Sequence, residues 1–464
     1  MAQPEGPGIS PRTERLAAYV AGALDAPLPE AVSLKTRCHI LDTFAAILSG
    51  SRLKVGRLAT AFAQAQGGRA EASLIGTADR VPAVVAALAN GMAAHADETD
   101  DSHLRGRFHP GCGILPAAFA AAETCGASGG DLIRAVALGY DIGARAVMSL
   151  GFSRPDTARH SSHSIGPLFG ATSAAAALHR LNPRQVRHAF SYATQQASGV
   201  PFWQRDSEHV EKAFDFGGMG ARNGLTAVAL VAAGFTAVED PFYGRHSFFT
   251  AFGEAPDPDA LCEGLGERFE ILNASIKKWC VGSPIQSILD AVIELVRAHD
   301  IRPEQIGGVT ITVPDDRIHI IDNRTMPAVC AQHLAALALV DGTITFDSAH
   351  DLGRMNDSAV LATRGKISLL PSAELTVARP ARQAIVEIGL AGGKTVRHHA
   401  KAVRGTPDNP MDVGEVTAKA EDLILPIMGK ARAEALISAV LSLETLGAAS
   451  ELAPLLSAGV DNAG

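Results

Sequence analysis

Between Thr13 and Ala233 apolar residues recur at three- and four-residue intervals, and alanine and glycine dominate the faces they make. That period belongs to helices burying one stripe, and small side chains on the stripe let helix axes approach closely. The spacing predicts helices over 13–21, 29–48, 81–96, 113–124, 129–149, 166–178 and 220–233, with Gly, Pro, Asp or Ser clusters as stops. Past about residue 268 the texture changes. Val309–Val313, Glu374–Val377, Ala384–Leu390 and Lys394–Val403 are β-branched or alternating, and Gly392-Gly393 sits where a hairpin turn falls. Helices are expected at 287–299 and 331–339, and 415–446 returns to helix, broken near Pro426. The expected fold is mainly α. A large helical domain covers 1–265, a smaller α/β domain is inserted over 266–404, and C-terminal helices at 405–464 rejoin the first domain.

Of the 464 residues, 47% are hydrophobic, enough for a sizeable core, and the net charge of −8 is spread without runs of one sign. A nucleic-acid or anionic-membrane partner is therefore not expected. The six cysteines are scattered with no CxxC pair, which speaks against a disulfide framework and against an iron–sulfur centre. The first fifteen residues carry no apolar stretch of a secretory signal, and the longest apolar run, 225–238, is shorter than the ~20 residues that span a bilayer. A soluble, cytoplasmic protein is expected.

The densest chemistry lies in residues 95–111, HADETDDSHLRGRFHPG, which follow an alanine-rich helix. Carboxylates, imidazoles and guanidiniums so close together suit an acid, a base and anion clamps around one small ligand; they also suit a solvated loop with a helix cap. His95 and Asp97 make a weak metal pair, but no third ligand follows at a metal-site spacing, so no metal is expected. Arg159-His160-Ser-Ser-His163 precedes a Gly/Ala-rich helix, where free N–H groups favour a carboxylate and a histidine can exchange protons near neutral pH. A plain serine cap beside surface histidines gives the same pattern. Lys212 leads into a Gly-rich segment and Lys277 into a Ser-Pro helix start; either is a cation for an anionic substrate or an ordinary surface lysine. Cys280 reads as a nucleophile or as a small packing residue. No dinucleotide fingerprint, P-loop or nucleophile elbow is present.

Taken in order, several segments resemble the MmgE/PrpD family. They are Leu28-Pro29-Glu30, Leu41-Asp42, Asn90-Gly91 through His95, Asp100-Asp101-Ser102 and His109-Pro110-Gly111. Phe169-Gly170-Ala171, Lys212, Lys277-Lys278-Trp279, Asp341-Gly342, Arg404-Gly405 and Asn409-Pro410-Met411 continue the series. The resemblance implies a helical domain with an α/β lid, a homodimer, and a site in the cleft between the domains. It also implies a cofactor-independent lyase acting on a small di- or tricarboxylate: a 2-methylcitrate dehydratase-like hydro-lyase first, an epimerase or cis-aconitate-type decarboxylase second. A catalytically silent carboxylate binder is the rival of another class. Carried over by position, the family's acidic residue falls on Glu98, its hydroxyl on Ser102, its first His on His109, and its second on His160 with His163 as competitor. The lysines fall on Lys212 and Lys277. Glu98 or Asp101 would orient the imidazoles, and Arg105 or Arg107 would join the lysines in neutralising carboxylates. Glu98 stands where Asp is usual, Ser102 where Thr is, and Cys280 where Pro is. One extra residue separates Ser102 from His109, and another lies between His160 and Phe169.

Overall fold

Helices make up 60% of the computed structural model, which describes residues 8–152 and 159–457, and only the backbone of Gln204. The chain divides into two compact units. One holds the residues to Ala96, Asp100–Ala274 and the chain from Leu423 on; the other holds Asp97–Thr99 and Ser275–Asp422.

The first unit is all but entirely helical. Its long helices are Glu30–Ser51, Ala83–Ala94, Gly111–Cys125, Gly129–Ser149, Ser162–Leu178 and Met219–Ala232. Alanine and glycine line their contacts, and in places no larger residue fits. A β-carbon added to Gly170 would stand 2.6 Å from the Gly139 carbonyl oxygen, so Gly129–Ser149 and Ser162–Leu178 touch backbone to backbone. Two longer helices, Lys54–Gln66 and Pro183–Gln196, and the short helices Val210–Ala213 and Phe248–Phe252 lie outside the expected ranges. Pro183–Gln196 was legible, because Asn182 before Pro183 and Gln185 forms a capping box.

The second unit carries a four-stranded sheet in the order 367–372, 306–314, 384–390, 395–400. Ile306–Pro314 runs parallel to Ile367–Ser372 and antiparallel to Ala384–Leu390, which pairs antiparallel with Thr395–Ala400 through the expected glycine turn. Val309, Ile311 and Val313 alternate inward and pack with Ile288, Leu289 and Val292 of the Gln286–His299 helix and Leu334 and Leu337 of Ala331–Asp341. The strand expected at 374–377 is a helical turn, Ala373–Val377, capped by Ser372. The strand role falls to Ile367–Ser372, at the edge of the sheet, where Pro371 is tolerated. The long C-terminal segment Val413–Leu441 breaks at Gly429, whose φ of 72° is non-helical, three residues beyond Pro426. Among the described residues no helix is long and apolar enough to cross a membrane.

Candidate active site

The Ala83–Ala94 helix ends on His95, its C-cap. Across from it, Val210–Ala213 and Met219–Ala232 are joined by one π-helical turn, Phe214–Gly218. Such turns insert a residue into a helix and re-aim side chains, often at functional sites. Glycine is required here, since a β-carbon on Gly217 would fall 2.1 Å from the Gly91 carbonyl oxygen. This close approach brings Phe216 onto His95, with ring centroids 4.5 Å apart and 27° between planes.

Asp100 holds two imidazoles at once. Its Oδ2 lies 2.9 Å from His95 Nδ1 and its Oδ1 lies 3.1 Å from His109 Nδ1, all three side chains being buried. A carboxylate only accepts, so each Nδ1 carries the proton and each Nε2 is left as the basic nitrogen. His163 joins this group. It stacks on Phe216 with centroids 3.8 Å apart and 5° between planes, and stands 5.5 Å from the His109 ring. Trp203 meets His163 edge-on, His209 stacks on His95, and Lys212 Nζ lies 5.1 Å from the Phe216 centroid. Three imidazoles and an ammonium thus converge on one aromatic ring.

The two candidate histidines are separated by where the helix starts. The helix begins at Ser162 and not at 166, so His163 is in its first turn and His160 lies outside it. His160 instead packs against Phe252 in a cleft of about 430 Å³ lined also by Arg159, Thr250 and Glu254. Burial and Arg159 hold its imidazole below the usual value. The structure therefore places His163, not His160, beside His109.

Other expected residues go elsewhere. Asp101 does not orient His109; its Oδ2 accepts from the Tyr140 hydroxyl at 2.6 Å and faces His39 Nδ1 at 2.7 Å, while Oδ1 accepts from the Gly111 N–H. Burial alone would raise its pKa, but these partners hold it below the carboxylate range. Arg105 is largely exposed, 3.9 Å from Glu270, and Arg107 donates to the Phe152 carbonyl. Neither guanidinium is brought to the histidines. Ser102 is buried next to His103 in a two-residue strand. In the α/β unit Lys277 Nζ donates to the Glu98 carbonyl at 2.6 Å and lies 3.7 Å from its carboxylate. Burial pushes the Cys280 thiol up to about 12, which keeps it protonated and makes it a packing residue, not a nucleophile.

His95, Asp100 and Phe216, central here, were not among the expected site residues, although His95 sits in the quoted HxD pair. A further group was also missed. Asp215, on the same π turn, is buried, accepts from Ser161 Oγ at 2.7 Å, and is raised by burial to about 6. Donor atoms of His95, Asp100 and His109 lie within 4.8 Å of one another, a cluster that does not include Asp97, the partner of His95 in the sequence pair.

Profiles of the two MmgE/PrpD domains match the chain in order, the N-terminal domain over residues 14–261 and the C-terminal domain over 279–445. The chain belongs to the MmgE/PrpD family. It is 26% identical to a cis-aconitate decarboxylase-like protein of Aspergillus oryzae, with 96% of this chain and 97% of the relative covered. The human cis-aconitate decarboxylase is 23% identical over 96% of this chain and 94% of its own. An Aspergillus terreus cis-aconitate decarboxylase is 27% identical over about half of each.

Proposed function

We propose that this protein is a cofactor-independent lyase that moves a proton at the carbon next to a carboxylate of a small tricarboxylate, and that decarboxylation of a cis-aconitate-like acid is its reaction. The observation that carries the reading is Asp100 shared between His95 and His109, which presents the basic nitrogen of His109 in one tautomer. In this reading CO2 leaves first. The electron pair stays on the substrate carbon, conjugated with a neighbouring carboxylate, and His109 or His163, having first taken a proton from solvent on its basic nitrogen, delivers that proton to carbon and returns to the neutral imidazole. Lys212 stabilises the developing negative charge, and the Phe216–Trp203 surface keeps water off it. The names of the relatives favour decarboxylation over the dehydratase subclass expected from sequence, for which they offer no support. Dehydration of a 2-methylcitrate-like acid remains the second reading, because the same base and cation serve it.

A proton NMR time course in D2O on cis-aconitate, citrate and 2-methylcitrate tests this. Decarboxylation shows as loss of CO2 with one deuteron incorporated. New alkene signals from the hydroxy acids would move the assignment to dehydration. A flat panel, or full activity in both His109→Ala and Lys212→Ala, would sink the enzymatic reading.

A further inference from the structure

We infer that His350 and Lys419 are positioning residues for Glu98, acting from the α/β unit on the two residues that flank it. The inference rests on the role in the reaction that the family resemblance implies for Glu98, and it concerns three residues, Asp97–Thr99, that group with the α/β unit although their neighbours on both sides in the chain do not.

Each of the three is held by a different element. The Asp97 carboxylate lies 2.7 Å from His350 Nε2, at the end of the Phe346–His350 helix. Glu98 gives its main-chain oxygen to Lys277. Thr99 gives its main-chain oxygen to Lys419 Nζ at 2.9 Å, from the Val413–Leu441 helix. The Thr99 N–H returns to Asp97 Oδ1 at 3.0 Å and closes the turn over Glu98. All of these side chains but His350 are less than a tenth exposed, so water competes weakly for them. With the residue before and the residue after both tied to cations, Glu98 keeps only its own side-chain torsions.

The charge on His350 follows from geometry. Nδ1 stands 2.8 Å from the Phe346 carbonyl and Nε2 faces a carboxylate; both partners only accept, so the doubly protonated ring is the form that suits both. Burial opposes the imidazolium, but Asp97 and the Phe346 carbonyl outweigh it and raise the His350 pKa, while Asp97 is held below its usual value. The other charges facing this ring are Asp347 on its own helix and Asp422; Lys419 and Asp97 both act on nearby Cys280. A protonated His350 is thus one of three cations on the strip, with Lys277 and Lys419, and its hold weakens as pH rises through its pKa.

The experiment compares His350→Gln, Lys419→Met and Lys419→Arg with the parent by steady-state kinetics on the substrate found above, and by hydrogen–deuterium exchange of the peptide covering 95–103. Lys419→Met and His350→Gln are expected to lower kcat about 10- to 100-fold with KM changed less than about threefold. Lys419→Arg should recover most of the loss. The alkaline decline of kcat assigned to His350 should vanish in His350→Gln, which sits at the lower rate throughout. Exchange at 97–99 should quicken in His350→Gln and Lys419→Met but not in Lys419→Arg. Unchanged exchange in both disruptive variants would overturn the inference, as would a kcat within twofold of the parent while Glu98→Gln is impaired. A fully active Glu98→Gln would instead refute the role of Glu98, and the exchange result would then decide alone whether the clamp exists.

Discussion

Replacing Asp215 by Asn removes a buried carboxyl whose hydrogen-bond partner is the Ser161 hydroxyl. Asp215 is 7% exposed, its Oδ2 accepts from Ser161, and Glu211 adds like charge. Burial lifts it from 3.8 to about 6, the Ser161 hydrogen bond offsets part of that rise, and Glu211 adds a smaller rise of its own. A difference of roughly two at about 1.4 kcal/mol each is about 3 kcal/mol. The native state holds the proton more tightly than the unfolded chain, so ionisation works against folding. The cost is absent below 3.8, grows as pH rises, and is full above about 6. Asn keeps an acceptor for Ser161 and never ionises. Asp215→Asn should therefore match the parent near pH 4 and exceed it in stability by up to about 3 kcal/mol at pH 7.5. Urea unfolding of both proteins at pH 4, 5, 6 and 7.5, followed by far-UV circular dichroism, measures the difference. Because the chain has two units, the comparison belongs to the transition of the helical unit. A stability difference that does not change with pH would refute the reasoning, since it would mean Asp215 ionises normally in the folded protein.

Four further outcomes are expected. Asp100→Asn should lower kcat by about 10^2–10^4-fold with little change in KM, because an amide cannot accept from both imidazoles and one must change tautomer; a loss below tenfold would remove Asp100 from the mechanism. His163→Ala should cost about 10^2-fold or more in turnover while His160→Ala stays within about threefold, and the reverse order would restore the other assignment. Arg145 is fully buried, paired with Asp141 and donating to the Arg268 carbonyl, so Arg145→Met should destabilise by about 3–5 kcal/mol in thermal or urea unfolding. His333 is fully buried with neither ring nitrogen hydrogen-bonded among the described residues, and burial pushes it down to about 4. His333→Met should then leave stability unchanged or raise it by about 1–2 kcal/mol, and a clear loss in urea unfolding would point to a partner for that ring.

Much of the fold was legible because it rests on local rules. The period of three and four between Thr13 and Ala233, the switch to alternation at Val309–Val313 and the Gly392-Gly393 turn all act over a few residues, and the structure forms the corresponding helices, strand and hairpin. Where the reading failed, a neighbour distant in sequence decided. Glu374–Val377 has the β-branched look of a strand, yet Ile367–Ser372 takes the place beside Ile306–Pro314 and Ser372 caps a helical turn after it.

The candidate site divides the same way. Sequence alone supplied residue types: the run from His95 to His109, the two lysines and the family to which they belong. It could not say which carboxylate meets which imidazole. Asp100 and Asp101 are adjacent and chemically alike, and nothing in their residue type separates them. One meets His95 and His109, and the other meets His39 and Tyr140. Likewise His160 and His163 differ only in which side of the helix start they fall, and Ser161 as N-cap settles that. The ring on which the histidines and Lys212 converge, Phe216, is presented by a π turn whose Gly217 packs directly against the Gly91 backbone. Composition and spacing are properties of single segments, whereas these pairings are set by the packing of helices far apart in the chain, which only the tertiary structure decides.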